Sequence, residues 1–450
     1  MTQDYHVGLE DDMDASRAWR NALRHSGISG QEFLAEVGQA GVLFDGKPVC
    51  VHRAPLFLSA ERVQELARVL AVFHGAVRKA KSVLLEDGLS AGSLASAMGL
   101  SEEERRLAAI DPGYSSAAVL ARVDCFCPDG HPWILELNAE APTGMGYTDA
   151  LTAQMRSDPI YAQVGPFEAF RSSDTALRAL LSTYREWGGR DRPSMAIVDF
   201  LDVPTRQDFH LISQSFERYG ISCPLVDPRD LRFDGGVLSG PGGPINLVYR
   251  RVLVRDLIAR PQECSALLRA YRAGAVCMVN SLRTPLLHSK GLFALLHASE
   301  MQERLSSAER KVVMDHLPHT VMLQTGDGKL SSPGVVERAR KAREDWIIKP
   351  VSQSGGRGVL LGRETTQEHW EMRLEDPEPA VLQRVVKEWI QEFPDAREDY
   401  KETNCMVDLD PFLIRGRLAG FMCRLSQRAP VNVARGAYLV PVFVSSGVDL

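Results

Sequence analysis

Apolar positions along the chain switch between a helical and an alternating period, and the switches mark out its elements. Over residues 59–81, Val63, Leu66, Val69, Leu70, Phe73 and Val77 recur at three- and four-residue spacing. That spacing gives one buried helix face, with Ser59 placed to cap its start. Residues 152–185 repeat the helical period, while residues 122–138 alternate on both sides of Pro128-Asp129-Gly130, which predicts a β-hairpin. A Gly- and Arg-rich linker at 187–193 then opens a new unit. Residues 195–200 read as a buried strand, 207–219 as a helix stopped by Gly220, and 221–226 as a second strand. A strand, helix and strand in that order imply a parallel sheet with a right-handed crossover. Residues 233–250 add a hairpin and a strand, and 275–280 a further strand. Helical spacing returns over 289–305 and, with mixed charges on a solvated face, over 335–345. Strands are predicted at 346–349, 381–386, 412–424 and 438–444. The class is α/β, in an α+β arrangement.

A length of 450 residues exceeds what one hydrophobic core serves, so two or three subdomains are expected. Hydrophobic content of 44% and charged content of 24% are those of an ordinary water-soluble globular chain. The formal charge of −6 argues against nonspecific nucleic-acid binding, which needs a basic surface, and leaves small molecules as the expected partners. The acidic first residues lack the features of a signal peptide, and no apolar run is long enough to span a bilayer. Eight scattered cysteines, with only Cys125 and Cys127 close in sequence, read as reduced, buried thiols of a cytoplasmic protein.

Two stretches carry candidate chemistry. In Trp346-Ile-Ile-Lys349-Pro-Val-Ser352-Gln-Ser354-Gly355-Gly356-Arg357-Gly358 a lysine at a strand end precedes a glycine-rich turn bearing hydroxyls. Glycines let backbone N–H groups approach phosphate oxygens, the serines add donors, and Lys349 adds a fixed positive charge. The order of residues matches neither the P-loop nor the dinucleotide fingerprint, and a plain glycine-rich hairpin would read the same way. In the hairpin, Glu136 and Asn138 share a strand face that Asp124 on the partner strand can meet. Two carboxylates and an amide are hard oxygen donors suited to Mg²⁺ shared with nucleotide phosphates. A solvated polar face is the alternative for either run alone. Arg250 and Arg251 end an apolar strand where α/β sheets place ligands, so a substrate carboxylate and a structural ion pair are both open there.

Together these residues resemble the ATP-grasp ligases: a lysine before a glycine-rich loop, a following strand at 381–386, and an Asp…Glu-x-Asn hairpin. The hairpin precedes the loop, the reverse of the usual order, which resembles the circularly permuted branch. Leu135-Glu136-Leu-Asn138-Ala-Glu140-Ala-Pro142-Thr143 is similar to the corresponding run of glutathionylspermidine synthase-like ligases and departs from it at Glu140 and Ala141. No amidase half is expected.

The resemblance implies an ATP-grasp fold with a Rossmann-like pre-ATP-grasp domain. Its divisions would be a core with the metal hairpin over 1–190, the pre-ATP-grasp domain over 191–285, a nucleotide lid over 286–395 and core-completing strands over 396–450. It implies ATP and Mg²⁺ as cofactors, with Asp124, Glu136 and Asn138 on the metal and Lys290, Lys349 and residues 352–358 on the phosphates. Gln383, Arg384, Val385 and Val386 would meet the adenine, and Arg424 with Asn432 would steady the transferred phosphoryl group. The implied activity joins a carboxylate to an amine through an acyl phosphate, with ADP and phosphate released. A non-catalytic nucleotide-binding scaffold and a kinase are the alternatives. The acid and amine, whether peptide, amino acid or polyamine, and a homo-oligomeric state are left open.

Overall fold

A computed structural model describes residues 9–323, 332–351, 353 and 356–445. The helical period of the first stretch becomes the helix Ala60–Glu86, capped as expected by the Ser59 hydroxyl, which accepts the Arg62 N–H at 3.3 Å. Residues 152–185 do not form one helix. Asp158 caps a short new helix that begins at Pro159, and the long helix Ser172–Trp187 follows and ends at Gly188, which takes positive φ at its C-terminus.

Ser172–Trp187 leads into a four-stranded sheet whose order is Cys277–Val279, Leu247–Arg250, Met195–Val198, Leu225–Val226. Every pairing in it is parallel, as the strand–helix–strand reading requires. Its residues alternate between two cores: Ile197, Leu247, Tyr249 and Val279 enter one apolar cluster, Ala196, Val198, Val248 and Met278 another. A sheet buried on both faces needs continuous apolar strands, which these are.

The acidic hairpin, Leu120–Phe126 and Trp133–Asn138, forms one edge of a six-stranded sheet. Lys401–Ile414 pairs antiparallel with Leu120–Phe126, Arg417–Ser426 follows it, and Tyr438–Val440 closes that side. The strand expected at 412–424 is in fact two strands, because Arg415 (φ 49°) and Gly416 (φ 77°) turn the chain back on itself. Early and late chain thus share one ladder.

A second four-stranded sheet, ordered Thr320–Met322, Ala380–Arg384, Trp346–Pro350, Leu360–Leu361, faces the six-stranded sheet across a cavity. Trp346 and Ile348 enter its own small core beside Trp370 and Leu382, which turns Ile347 and Lys349 the other way. All eight cysteines are buried and unpaired.

Candidate active site

Antiparallel register sets the acidic wall. Asp124 lies opposite Glu136 and Arg122 opposite Asn138, so four polar side chains share one face of the hairpin. Leu409 pairs with Cys125 and Phe412 with Arg122, which brings Asp410 of the neighbouring strand beside Asp124. Carboxylate oxygens of Asp124, Asp408 and Asp410 come within 4.8 Å of one another.

Arg424 crosses this acidic group. Its guanidinium lies 2.6 Å from Asp124, 2.7 Å from Asp408 and 2.8 Å from Asp410. Arg122 adds a bond of 3.0 Å to Asp124, and the Asn138 amide donates to the same carboxylate at 2.7 Å. Burial raises the Asp124 pKa, but the two guanidiniums more than offset it and hold the group below its ordinary range. Asp408 and Asp410 move upward instead, since burial and neighbouring negative charge outweigh Arg424. Glu136 is held below its ordinary value: burial and Asp124 raise it, and Lys290 at 3.1 Å, with Lys349 and His288, more than compensates.

The opposite wall comes from the upper sheet. Lys349 projects into the space between the sheets and donates to Gln383 Oε1 at 2.7 Å, while Gln383 donates to Thr320 at 3.1 Å. Loss of hydration among these neighbours pulls the Lys349 ammonium down to about 8, against the stabilising charge of Glu136. Lys290 joins the walls, donating to Glu136 and, at 2.8 Å, to the Gln353 carbonyl of the glycine-rich turn. Gly356 takes φ of 71°, and a Cβ there would meet Pro430 at 2.7 Å, so only glycine lets the turn close against the lower sheet.

A cavity of about 390 Å³ lies between the walls. Asp124, Glu136, Asn138, Lys290, Lys349, Gly356, Gln383, Arg384, Val385, Val386, Arg424 and Asn432 all line it. The Asn432 side chain also accepts the Ala434 N–H at 2.8 Å and so fixes its own loop. Arg357 and Gly358 are exposed and do not line the cavity, and Ser352, Ser354 and Gly355 lie outside the described residues. In the base-contacting segment the Arg384 N–H is bonded to His319 and the Val385 N–H to Asp345. The Val386 N–H has no backbone partner among the described residues.

Three arginines expected to meet ligands have protein partners of their own. Arg250 is fully buried, donating to Glu140 at 3.2 Å and to the carbonyls of Val252, Asn280 and Ser281. Arg251 is bonded to the Pro142 carbonyl and to Thr143 and lies over the Phe209 ring. Neither lines this cavity; together they are bonded to the segment 140–143. Arg424 lines the cavity and is paired there with three carboxylates. Sequence reading missed Asp408 and Asp410, although Asp408-Leu409-Asp410 within an apolar strand was a visible signal. It also missed Arg122, which stood two residues ahead of Asp124.

The donor set fits Mg²⁺. Buried carboxylates converge, and Asp408 Oδ1 is buried with no hydrogen-bond partner among the described residues, a state that a hard cation relieves.

The two stacked sheets with a cleft between them and a parallel-sheet domain alongside define an ATP-grasp protein. The chain belongs to the circularly permuted ATP-grasp type 2 family, whose model matches residues 61–415. Among solved structures it is similar to a glutathione synthetase like-effector from Globodera pallida, at 12% identity over 96% of this chain and 98% of that one, TM-score 0.63. That likeness is one of fold. A putative γ-glutamylcysteine synthetase from Methylobacillus flagellatus aligns over 69% of this chain and 76% of that one, at 10% identity and TM-score 0.41. No curated protein matches the sequence.

Proposed function

We propose that the protein is an ATP-dependent carboxylate–amine ligase. The observation that carries this reading is the meeting of Lys349 from one sheet with Asp124 and Glu136 from the other across a single cavity. Phosphoryl transfer asks little of a protein beyond holding charged oxygens in line, and cations facing a carboxylate cluster suit that task. In this reading residues 1–190 and 396–450 form the core, 191–285 the flanking domain and 286–395 the lid.

Lys349 and Lys290 hold the terminal phosphates, and the turn around Gly356 covers them. Val385, Val386 and Ile347 flank the base, with the Val386 N–H as a donor to its edge. Asp124, Glu136 and Asn138, joined by Asp408, hold Mg²⁺, which when bound neutralises charge on the phosphate oxygens. Arg424 positions the crowded carboxylates and opposes the upward shift that burial imposes on Asp408 and Asp410. A substrate carboxylate oxygen attacks the γ-phosphorus as its bond to ADP breaks. The amine then attacks the acyl carbon, loses a proton, and phosphate leaves.

A second cavity of about 230 Å³ shares Arg122 and Asn138 with the first and is also lined by Glu140, Thr143 and His288. In this reading it takes the acid and amine beside the phosphoryl group, and Arg122 is a cation lining both cavities. Amino acids, peptides and polyamines fit the mixed charge of this lining.

The test is phosphate release from ATP and Mg²⁺ over a panel of acids, with and without amines, with products weighed by mass spectrometry. Amine-dependent release with a condensation mass supports the ligase. A phosphorylated product formed without amine makes the protein a kinase, and silence across the panel makes it a scaffold. Glu136→Ala is expected to lose turnover by about a hundredfold or more while keeping its circular-dichroism melting profile.

A further inference from the structure

The face of the lower sheet turned away from the nucleotide cleft carries a cavity of its own. It measures about 550 Å³ and lies between the helix Ala60–Glu86, the loop 115–118 and the turn at Arg415–Gly416. Ala121 and Leu137 form its floor. These two residues alternate with Arg122, Glu136 and Asn138, so floor and active site are opposite faces of the same strands.

Its charge is unbalanced. Arg78, Lys79, Lys81 and Arg415 line the cavity with a single carboxylate, Glu309, which Lys79 already holds at 2.5 Å. Arg415 pairs with Glu186 at 2.8 Å, outside the lining. Lys81 has only the Ser115 carbonyl, at 2.9 Å, and Arg78 has no carboxylate partner among the described residues. Lys81 is held below its ordinary pKa, first by burial and then by the positive charges of Arg283 and Arg78. Four cations converge on a concavity of ligand size while acids answer only Lys79 and Arg415, and the charge left on Arg78 and Lys81 is relieved by an anion.

We propose that this rear cavity is a second ligand site, one that takes a small molecule bearing two or more carboxylate or phosphate groups and bears on the active site through the shared strands. Arg78 and Lys81 are its principal contacts. A ligand drawing them toward the floor presses on Leu137 and thereby on the setting of Glu136 and Asn138. The binding claim stands independently of the ligase reading, since it concerns residues that the nucleotide cleft does not use.

Two probes separate the sources of such an anion: citrate for a polycarboxylate and inorganic triphosphate for a polyphosphate. Each is titrated calorimetrically into the metal-free full chain, into the double variant Arg78→Ala/Lys81→Ala, into Lys81→Arg and into Lys349→Ala. The proposal expects saturable binding of at least one probe that weakens by about tenfold or more in the double variant and persists in Lys81→Arg and Lys349→Ala. The probe that binds identifies the source. Hydrogen exchange is expected to slow over residues 119–124 and 134–138 when that probe is bound. Absence of saturable binding below about 10 mM, or binding lost in Lys349→Ala and kept in the double variant, overturns the site. Unchanged exchange in the hairpin overturns its link to the cleft.

Discussion

Lys349 shows how a single residue's surroundings set a measurable property. With its pKa drawn down to about 8, the free protein loses this charge as pH rises through that value. A bound triphosphate stabilises the ammonium and raises its pKa, so binding takes up a proton between about 8 and the ordinary lysine value near 10.4. Calorimetry in buffers of different ionisation enthalpy is expected to show that uptake near pH 9, with affinity falling as pH rises further; Lys349→Met removes the uptake. The same shift makes the unfolded chain the better proton binder in this window, so the free protein's stability rises with pH across it. Arg424 is the other residue with a sharp consequence. Arg424→Ala leaves Asp408 and Asp410 buried with their main counter-charge gone, which costs about 3–5 kcal/mol and is read as a lowered denaturant midpoint. Lys349, Glu136 and Asn138 were legible in the sequence because each belongs to a short local pattern. Arg424 was named by the resemblance and Asp408-Leu409-Asp410 left a signal, but their meeting was not legible, because it exists only once separate strands come into register.

Among elements, the hairpin owes its position to one side chain from another sheet. Asn280, just past the strand Cys277–Val279, accepts the Val119 and Leu120 N–H groups at 2.7 and 3.0 Å. Its amide donates to the carbonyls of Leu120, Ala139 and Glu140 at 2.6, 3.1 and 3.1 Å. It thus ties both ends of the acidic hairpin to the parallel sheet, using all its donor and acceptor capacity. Asn280→Ala strands several buried backbone groups and is expected to cost about 2–4 kcal/mol. Faster hydrogen exchange at residues 119–121 and 138–140 is the accompanying local sign. Elements governed by local period, such as Ala60–Glu86 and the parallel strands, were readable from the chain. The breaks near Pro159 and at Arg415–Gly416 were not read, although Asp158-Pro159 and Arg415-Gly416-Arg417 interrupt the apolar pattern there.

At the scale of the whole molecule, the account rests on two distant stretches of chain forming opposite walls of one cleft. The resemblance that named both walls was available from short motifs, and the family match over residues 61–415 establishes the fold they belong to. What the motifs could not show is that Lys290 bridges the walls, bonded at once to Glu136 and to Gln353. That contact depends on how the sheets stack. The direct test is a calorimetric titration of Mg–ATP into the wild-type chain, Lys349→Ala and Glu136→Ala. The account predicts one site per chain, weakened by about tenfold or more in each variant. Wild-type affinity in either variant would contradict it, because the nucleotide would then rest on one wall alone.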